Sequence, residues 1–475
     1  PLPDIDFNIR CGNTLVGYAT KEELMNDIAF GDIFAKAEFE EKIEIEMQKV
    51  AMAYDIFKHI QLNQHDSIED FKRAKDGLQT RLRELNELLN QKMHHSVSAC
   101  TYEKWLASHQ PFHWIAEFYQ IIQGNGGFDV VIGNPPYVEY GNKLKSVYAI
   151  DAKKYKTLSC SNLHAFIAER CFSLSHLNTA VGLIVPLPSI NTNRMESLQK
   201  VIKLSENQST WISAYDERPS GLFSGVDQRL IIEIIRRGNN QGFFTTGINR
   251  WLSAHRNLLF VSLHYSEQNK QSQSYSVSIL KQKDKIETSI LEKFYKNNPI
   301  SYLLSNVDSN NRLYYRTAGG RYWKVFLNKS FDTKTASEKC TSFAVLTPTQ
   351  LVSILSSDVF WWYYSVHFDM FNLKDYMIFG FRFNCDNNDV ISLLDKLGDD
   401  YLQSLETNAK QEIIKSKTKG QIMQKQYYVR ASKPIINEID KVLAKHYNFT
   451  DEELDFIINY DIKYRMGSEL DTDNE

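Results

Sequence analysis

The run Asn134-Pro135-Pro136-Tyr137 brings together groups suited to a flat, amide-like substrate. An Asn side-chain oxygen and a prolyl carbonyl can both accept hydrogen bonds from one exocyclic amino group, and a Tyr ring offers a face for stacking. The tetrapeptide follows the apolar run Phe128-Asp129-Val130-Val131-Ile132, which is itself preceded by Gly124-Asn125-Gly126-Gly127. That pattern predicts a buried parallel strand ending at Gly133. The two prolines hold the backbone extended beyond it and block the start of a helix. Loops at the carboxyl ends of strands line the pockets of open α/β sheets, so this loop is expected at one.

A chain of 475 residues has room for two or three domains. Its hydrophobic share of 43% and charged share of 24% are those of an ordinary globular protein. No apolar stretch approaches a membrane span, and no basic-apolar leader stands at the start, so a cytoplasmic setting without membrane contact is expected. Cys11, Cys100, Cys160, Cys171, Cys340 and Cys385 are scattered with no Cys-x-x-Cys pair, which points away from a zinc site or a disulfide framework, and no metal is expected. The formal net charge of -3 does not announce a nucleic-acid binder, so any such surface must be a local basic groove.

The Asn-Pro-Pro-Tyr run resembles motif IV of the S-adenosylmethionine-dependent amino-methyltransferases, in the form typical of adenine-N6 DNA methyltransferases. Leu2 to Leu15 looks like motif III of the same enzymes, and the resemblance makes Asn13 the polar turn residue facing the adenine of S-adenosylmethionine. A Gly-Asn pair such as Gly12-Asn13 is also a common turn signal. Asn162 to Arg170 reads as a helix resembling motif V, and Val181 to Pro186 as a buried strand resembling motif VI. Trp211 to Tyr215 is a further strand candidate. Arg218 to Leu230, followed by the apolar run Ile231 to Ile235, looks like motif VIII. There the family places an aromatic residue that stacks on the extruded adenine, and Phe223 is the candidate; its alternative is a core phenylalanine.

Motifs in this order make the match specific, and it is strongest to the large adenine methyltransferases of type IIG restriction–modification systems. Pro111-Phe112-His113-Trp114 and the run Val359 to Tyr364 with Asn372-Leu373 after it are typical of that group. The resemblance implies an α/β fold, an incomplete class I (Rossmann-like) methyltransferase sheet, interrupted by a helical hairpin and followed by an α+β target-recognition region. Its parts are expected at 1–20 (motif III), 21–125 (helical insertion), 126–240 (catalytic part), 241–430 (target recognition) and 431–475 (a C-terminal helical segment). It further implies S-adenosylmethionine as cofactor, with Asn134 beside it, double-stranded DNA as partner, and adenine-specific DNA methylation as the activity.

In the family the sheet runs 3-2-1-4-5-7-6. The sequence starts at Pro1 within motif III, so strands one and two, the Gly-rich cofactor loop and any nuclease are expected upstream or on another chain. Gly124 to Gly127 is no substitute, because a cofactor loop follows its strand and opens a helix. The strand before Asn134 is then left with an unpaired apolar edge, and residues 1–475 alone are expected neither to bind the cofactor well nor to methylate DNA.

Within 21–125, Phe39, Ile43, Met47, Val50, Tyr54 and Phe57 recur at helical spacing, as do Phe71, Leu78, Leu82, Leu85 and Leu89. The polar break Asn63 to Asp66, with Ser67 and Asp70 in capping-box register, makes these an αα-hairpin. Glu40-Glu41-Lys42 mimics half of a nuclease site, but on a charged helix it reads as solvated surface.

Beyond Gly238 short aromatic strands such as Gly242 to Phe244 and Arg321 to Phe326 alternate with turns, and a helix is expected from Pro348 through Phe360. Trp361 to Tyr364 read as core rather than as a base-stacking platform. Lys415, Lys417, Lys419, Lys425 and Arg430, interleaved with Tyr427 and Tyr428, form either a phosphate-tracking edge or a solvated helix face. A last helix is expected from Thr450, boxed by Glu453, to Gly467, before an acidic tail. Two rival functions share these residues: a methyltransferase acting on RNA or a protein glutamine, and a DNA-binding remnant without catalysis.

Overall fold

The computed structural model describes residues 7–28, 33–62, 67–97, 100–203, 207–238, 241–305, 311–333, 335–416 and 420–467. Residues 1–6 of the expected motif III segment, the break at 63–66, Lys417, Lys419 and the acidic tail lie outside them. The chain divides into two compact units, one of residues 1–189, 194–211 and 232–242, the other of residues 190–193, 212–231 and 243–475.

The first unit opens with helices α1 (Lys21–Ile28), α2 (Ile33–Leu62), α3 (Ile68–Val97) and α4 (Tyr102–His109). α2 and α3 form the hairpin expected from the periodicity. Ile43, Met47, Val50 and Phe57 of α2 are buried against Leu78, Leu82, Leu85, Leu89 and Met93 of α3. Each such side chain contributes roughly 1.5–3 kcal/mol, which is what fixes two charged helices to one another. The Ser67 Oγ accepts from the Asp70 amide at 3.1 Å and donates to the Asp70 carboxylate at 2.7 Å, so α3 starts where the sequence signals it.

Next along the chain come β1 (Phe128–Gly133), α5 (Leu163–Ser173), β2 (Ser175–Pro186), α6 (Glu196–Lys203), β3 (Gln208–Tyr215), β4 (Leu230–Arg237), β5 (Gly242–Asn249) and β6 (Ser266–Glu267); β3, β4 and β5 are each divided between the units, and β6 belongs to the second. Six strands form one sheet in the order β1-β2-β4-β3-β5-β6. The part β1-β2-β4-β3 follows the sequence of strands 4-5-7-6 in the expected order. β1 runs parallel to β2, with Val131 opposite Val181 and Gly133 opposite Leu183. Gly127 admits the chain into β1 at φ +143°, where any Cβ would come within 2.6 Å of the Leu174 carbonyl.

β1 departs from the expected burial. Val130 is 63% exposed and Ile132 84% exposed. Among the described residues β1 is the terminal strand of the sheet and pairs with β2 alone, so they leave its outer edge and much of its apolar surface uncovered. An apolar run signals that a strand wants covering on both faces; it does not supply the cover.

In the second unit, α7 (Ile286–Phe294) is followed by a three-stranded antiparallel sheet of β7 (Arg312–Arg316), β8 (Phe326–Leu327) and β9 (Glu338–Ser342), with β7 central. The expected strand from Arg321 pairs only at Phe326 and Leu327. Helices α8 (Pro348–Leu355), α9 (Asp358–His367) and α10 (Asn388–Thr407) follow, then β10 (Lys410–Ser416), β11 (Gly420–Gln426), α11 (Lys433–Tyr447), α12 (Asp451–Ile458) and α13 (Ile462–Met466). The single helix expected from Pro348 is two, because the Ser357 Oγ accepts from the Phe360 amide at 3.1 Å and caps a new start. Trp361, Trp362, Tyr363 and Tyr364 are all buried in the core of this unit.

β10 and β11 pair antiparallel from Lys410 opposite Gln426 to Ser416 opposite Gly420, which corrects the helix-face alternative at Lys415 and Lys425. The Thr450–Glu453 box forms as expected, at 3.2 Å and 2.7 Å. Its helix ends at Ile458, however, and Gly467 terminates the separate α13.

Candidate active site around the Asn134 loop

β1 delivers the chain to Asn134, and the backbone beyond it is stitched to the start of α5. The Leu163 amide donates to the Val138 carbonyl at 2.9 Å, and the Tyr140 amide to the Ser161 carbonyl at 3.0 Å. The Asn162 side chain caps α5 by accepting from the His164 amide. Arg194 adds a tie from outside, donating to Glu139 at 2.5 Å and to the Cys160 carbonyl at 3.0 Å. The loop is therefore held at its far end while Asn134 itself is exposed, Pro135 buried, Pro136 exposed and Tyr137 half-buried.

The Tyr137 hydroxyl lies 2.6 Å from Asn134 Oδ1 and 3.0 Å from the Ile184 carbonyl of β2. Burial raises the Tyr137 pKa, so the phenol keeps its proton near neutrality. The Tyr137 ring meets His164 edge-on at 6.3 Å between centroids. Nothing in the sequence reading singled out His164. His164 Nδ1 lies 2.6 Å from Asn162 Oδ1, which can only accept, so Nδ1 carries the proton. Nε2 then accepts from the Ser189 hydroxyl at 3.0 Å. The one signal for it was a histidine two residues after a capping Asn.

Burial holds the His164 pKa down at about 4. The unfolded chain would bind a proton near pH 6.5, so between about 6.5 and 4 the unfolded state binds more protons than the folded one. Stability then rises with pH through that window and is lost as pH falls through it, at up to about 1.4 kcal/mol per pH unit for this group. His164→Gln should reduce that acid sensitivity; urea unfolding at pH 7 and pH 5 that falls equally in both proteins would contradict it.

Beside Asn134 lies a cavity of about 450 Å³. Its walls include Thr14, Trp114, Phe118, Phe128, Pro135 and Arg170. Trp114 stacks on Phe118 at 5.6 Å, meets Phe128 edge-on at 5.8 Å, and donates through Nε1 to Thr14 Oγ1 at 3.1 Å. Arg170 is tied down by Glu23 and by Tyr155 Oη at 2.6 Å. The size lies in the range that takes small ligands, and flat aromatic walls suit a flat ligand. Trp114 belongs to the Pro-Phe-His-Trp run, so that run does border the site. Asn13 does not line the cavity; its Oδ1 accepts from the Leu15 amide at 3.1 Å, closing its own turn.

Phe223 stands in the second unit, in the loop between β3 and β4, and is 38% exposed, which departs from the core alternative. The Arg256 guanidinium donates to the carbonyls of Gly221 and Leu222 just before it, at 3.3 Å and 2.8 Å. The base of the loop is clamped by Asp216, which pairs with Arg229 at 2.9 Å, Arg250 at 2.7 Å and Arg321 at 3.2 Å. Burial pushes the Asp216 pKa up, but the three guanidinium groups outweigh it and bring it to about 2. Sequence reading missed this clamp, because its members are 13, 34 and 105 residues apart from Asp216.

Of the basic segment, Lys425 pairs with Glu406 and with Asp332 at 3.3 Å. Arg430 is exposed in the turn Val429–Ser432. Lys415 lies on β10 opposite Gln421. Among the described residues no cluster of His, Cys, Asp or Glu could hold a metal ion, and no helix is long and apolar enough to cross a membrane.

Comparison with known proteins adds three findings. A family model described as Eco57I restriction-modification methylase matches residues 24–223. A putative type II restriction enzyme and methyltransferase of Methanocaldococcus jannaschii is 24% identical over 275 residues, covering 49% of this chain and 22% of its own length. The chain thus spans less than a quarter of that relative. Among solved structures, the Type IIL restriction-modification enzyme MmeI in complex with DNA aligns over 81% of this chain and 64% of its own, at 10% identity and a TM-score of 0.42. A nuclease-deletion mutant of the Type ISP enzyme LlaGI with a DNA substrate mimic aligns over 54% and 28%, at 12% identity and a TM-score of 0.30. Over residues 24–223, then, the chain matches an Eco57I restriction-modification methylase domain, and it is homologous over part of its length to a putative type II restriction enzyme and methyltransferase.

Proposed function

We propose that this chain carries the catalytic and target-recognition parts of a site-specific DNA adenine-N6 methyltransferase of the type IIG restriction–modification class, working in the cytoplasm. The observation that carries the reading is the exposed Asn134 carboxamide at the carboxyl end of a parallel strand, next to an aromatic-walled cavity. The cavity suits S-adenosylmethionine: Trp114, Phe118 and Phe128 offer faces to its adenine, and Asn134 stands at the same opening. Among the described residues no Gly-rich turn leads from a strand into a helix to cradle its methionine end.

Bound there, S-adenosylmethionine supplies the reactive methyl group on a sulfonium, and the protein's part is orientation. A stacked adenine cannot present its amino group to such a pocket, so the base is flipped out. Asn134 Oδ1 and the Pro135 carbonyl accept from the adenine amino group, which raises the nitrogen's nucleophilicity as transfer proceeds. Tyr137 stacks on the ring, and the resemblance of its loop to motif VIII gives Phe223 a stacking role as well. Reading of the flanking sequence falls to residues 241–430, with Lys415, Lys417, Lys419, Lys425 and Arg430 on phosphates. Lys425 is held by Glu406 and Asp332, so a phosphate contact there competes with two carboxylates.

Replacing Tyr137 or Phe223 by Ala should weaken capture of the flipped base by about 1–3 kcal/mol each, if both stack on it. A 2-aminopurine at the target position reports capture as a rise in fluorescence. An unchanged rise in Phe223→Ala would remove Phe223 from the site.

A further inference from the structure

The Tyr137 hydroxyl stands between two acceptors, Asn134 Oδ1 at 2.6 Å and the Ile184 carbonyl at 3.0 Å. A phenol has one proton to give, so with Oδ1 facing it one of these two oxygens goes without. A half-turn of the carboxamide exchanges Oδ1 for Nδ2 at nearly the same position. Nδ2 then donates to Tyr137 Oη, Oη donates to the Ile184 carbonyl, and each contact has its proton. Oδ1 is left turned away from Tyr137 with its lone pairs unused.

We propose that Tyr137 acts through its hydroxyl as a positioning residue: anchored on the Ile184 carbonyl, it selects the orientation of the Asn134 carboxamide that offers Oδ1 to the substrate amino group. The proposal rests on the reading of Asn134 as an acceptor for that group. The anchor is sheet backbone, since Ile184 follows Leu183, the partner of Gly133 in the β1–β2 register. Asn134 is exposed and its backbone enters two prolines, so the Tyr137 hydroxyl is the contact that sorts its oxygen from its nitrogen. The wrong orientation would set an amide NH₂ against an amino group, two donors face to face. Burial keeps the phenol protonated near neutrality and able to donate. Tyr137 thus has two separable parts, a ring that stacks and a hydroxyl that orients its neighbour.

The test is Tyr137→Phe, which keeps the ring and removes the hydroxyl. In the chain labelled with ¹⁵N-asparagine, the Asn134 side-chain signal is the one that disappears in Asn134→Ala. The wild type should show one Asn134 amide proton shifted downfield and slow to exchange; Tyr137→Phe should abolish both features while the other asparagine signals stay in place. Asn134 signals that do not move would overturn the proposal. In the protein expressed from its complete reading frame, Tyr137→Phe should lower kcat for methylation about tenfold, the worth of one hydrogen bond, with the KM for DNA and the 2-aminopurine response unchanged. In an Asn134→Ala background it should cost nothing more; a full tenfold loss there would also overturn the proposal. Methylation at wild-type rate by Asn134→Ala would instead sink the reading of Asn134 beneath it, whatever the amide signals show.

Discussion

Asn134→Ala is expected to slow methyl transfer by ~30- to 1,000-fold, or roughly 2–4 kcal/mol in the transition state, the loss that follows removal of one preorganised polar group. The effect belongs in kcat because the hydrogen bond to the amino group strengthens as the nitrogen gives up electron density to the methyl. Cofactor and DNA affinity should change much less, since a contact made mainly in the transition state adds little to binding beforehand. Asn134 is exposed and its loop is held through Val138, Tyr140 and Glu139, so the substitution should leave the fold in place. Single-turnover methylation by the protein from its complete reading frame measures the step directly. Transfer at the wild-type rate would remove Asn134 from the chemistry.

The second large effect concerns stability and lies in the second unit. Asp358, at the first turn of α9, is fully buried and pairs with Lys433 at 2.5 Å and with Arg465. Lys433 also donates to Asn437 Oδ1 at 2.6 Å and to the Ile458 carbonyl at 3.1 Å, so one carboxylate ties α9, α11, α12 and α13 together. Asp440 accepts from the Asp358 and Val359 amides at 3.0 Å and 3.2 Å. Burial, with the Asp358 carboxylate beside it, holds the Asp440 pKa well above the usual carboxylate range. Asp358→Ala would leave two buried cations without their common partner, a loss of about 3–5 kcal/mol for breaking one side of a buried ion pair. The urea midpoint should fall accordingly, and a midpoint within error of the wild type would contradict the account of this cluster.

Local signals in the sequence were enough to place many of the elements. The α2–α3 hairpin, the capping boxes at Ser67 and Thr450 and the burial of Trp361 to Tyr364 follow from periodicity, capping chemistry and aromatic size, each acting over a few residues. The strand before Asn134 was legible as a strand, but its exposure was not, because burial depends on neighbours far along the chain. The same holds for the site. Asn134 to Tyr137 announce themselves as one run, whereas His164, Asp216 and Arg256 act through partners brought together only by folding. Asn13 shows the converse: its side-chain oxygen accepts from the Leu15 amide as a short-range turn signal predicts, while its neighbours Gly12 and Thr14 line the cavity. Two errors of boundary, at Ser357 and Ile458, arose where a polar residue capped or ended a helix inside an otherwise continuous apolar pattern.

The central claim is that the Asn134 loop directs methyl transfer to the amino group of adenine in DNA. Its most direct test is nucleoside mass spectrometry of DNA from cells expressing the complete reading frame, beside the same cells carrying Asn134→Ala. N6-methyldeoxyadenosine that appears with the wild type and is lost or sharply reduced with the variant is the result expected. DNA free of N6-methyldeoxyadenosine, with the methyl group found instead on RNA or on a protein glutamine, would contradict it.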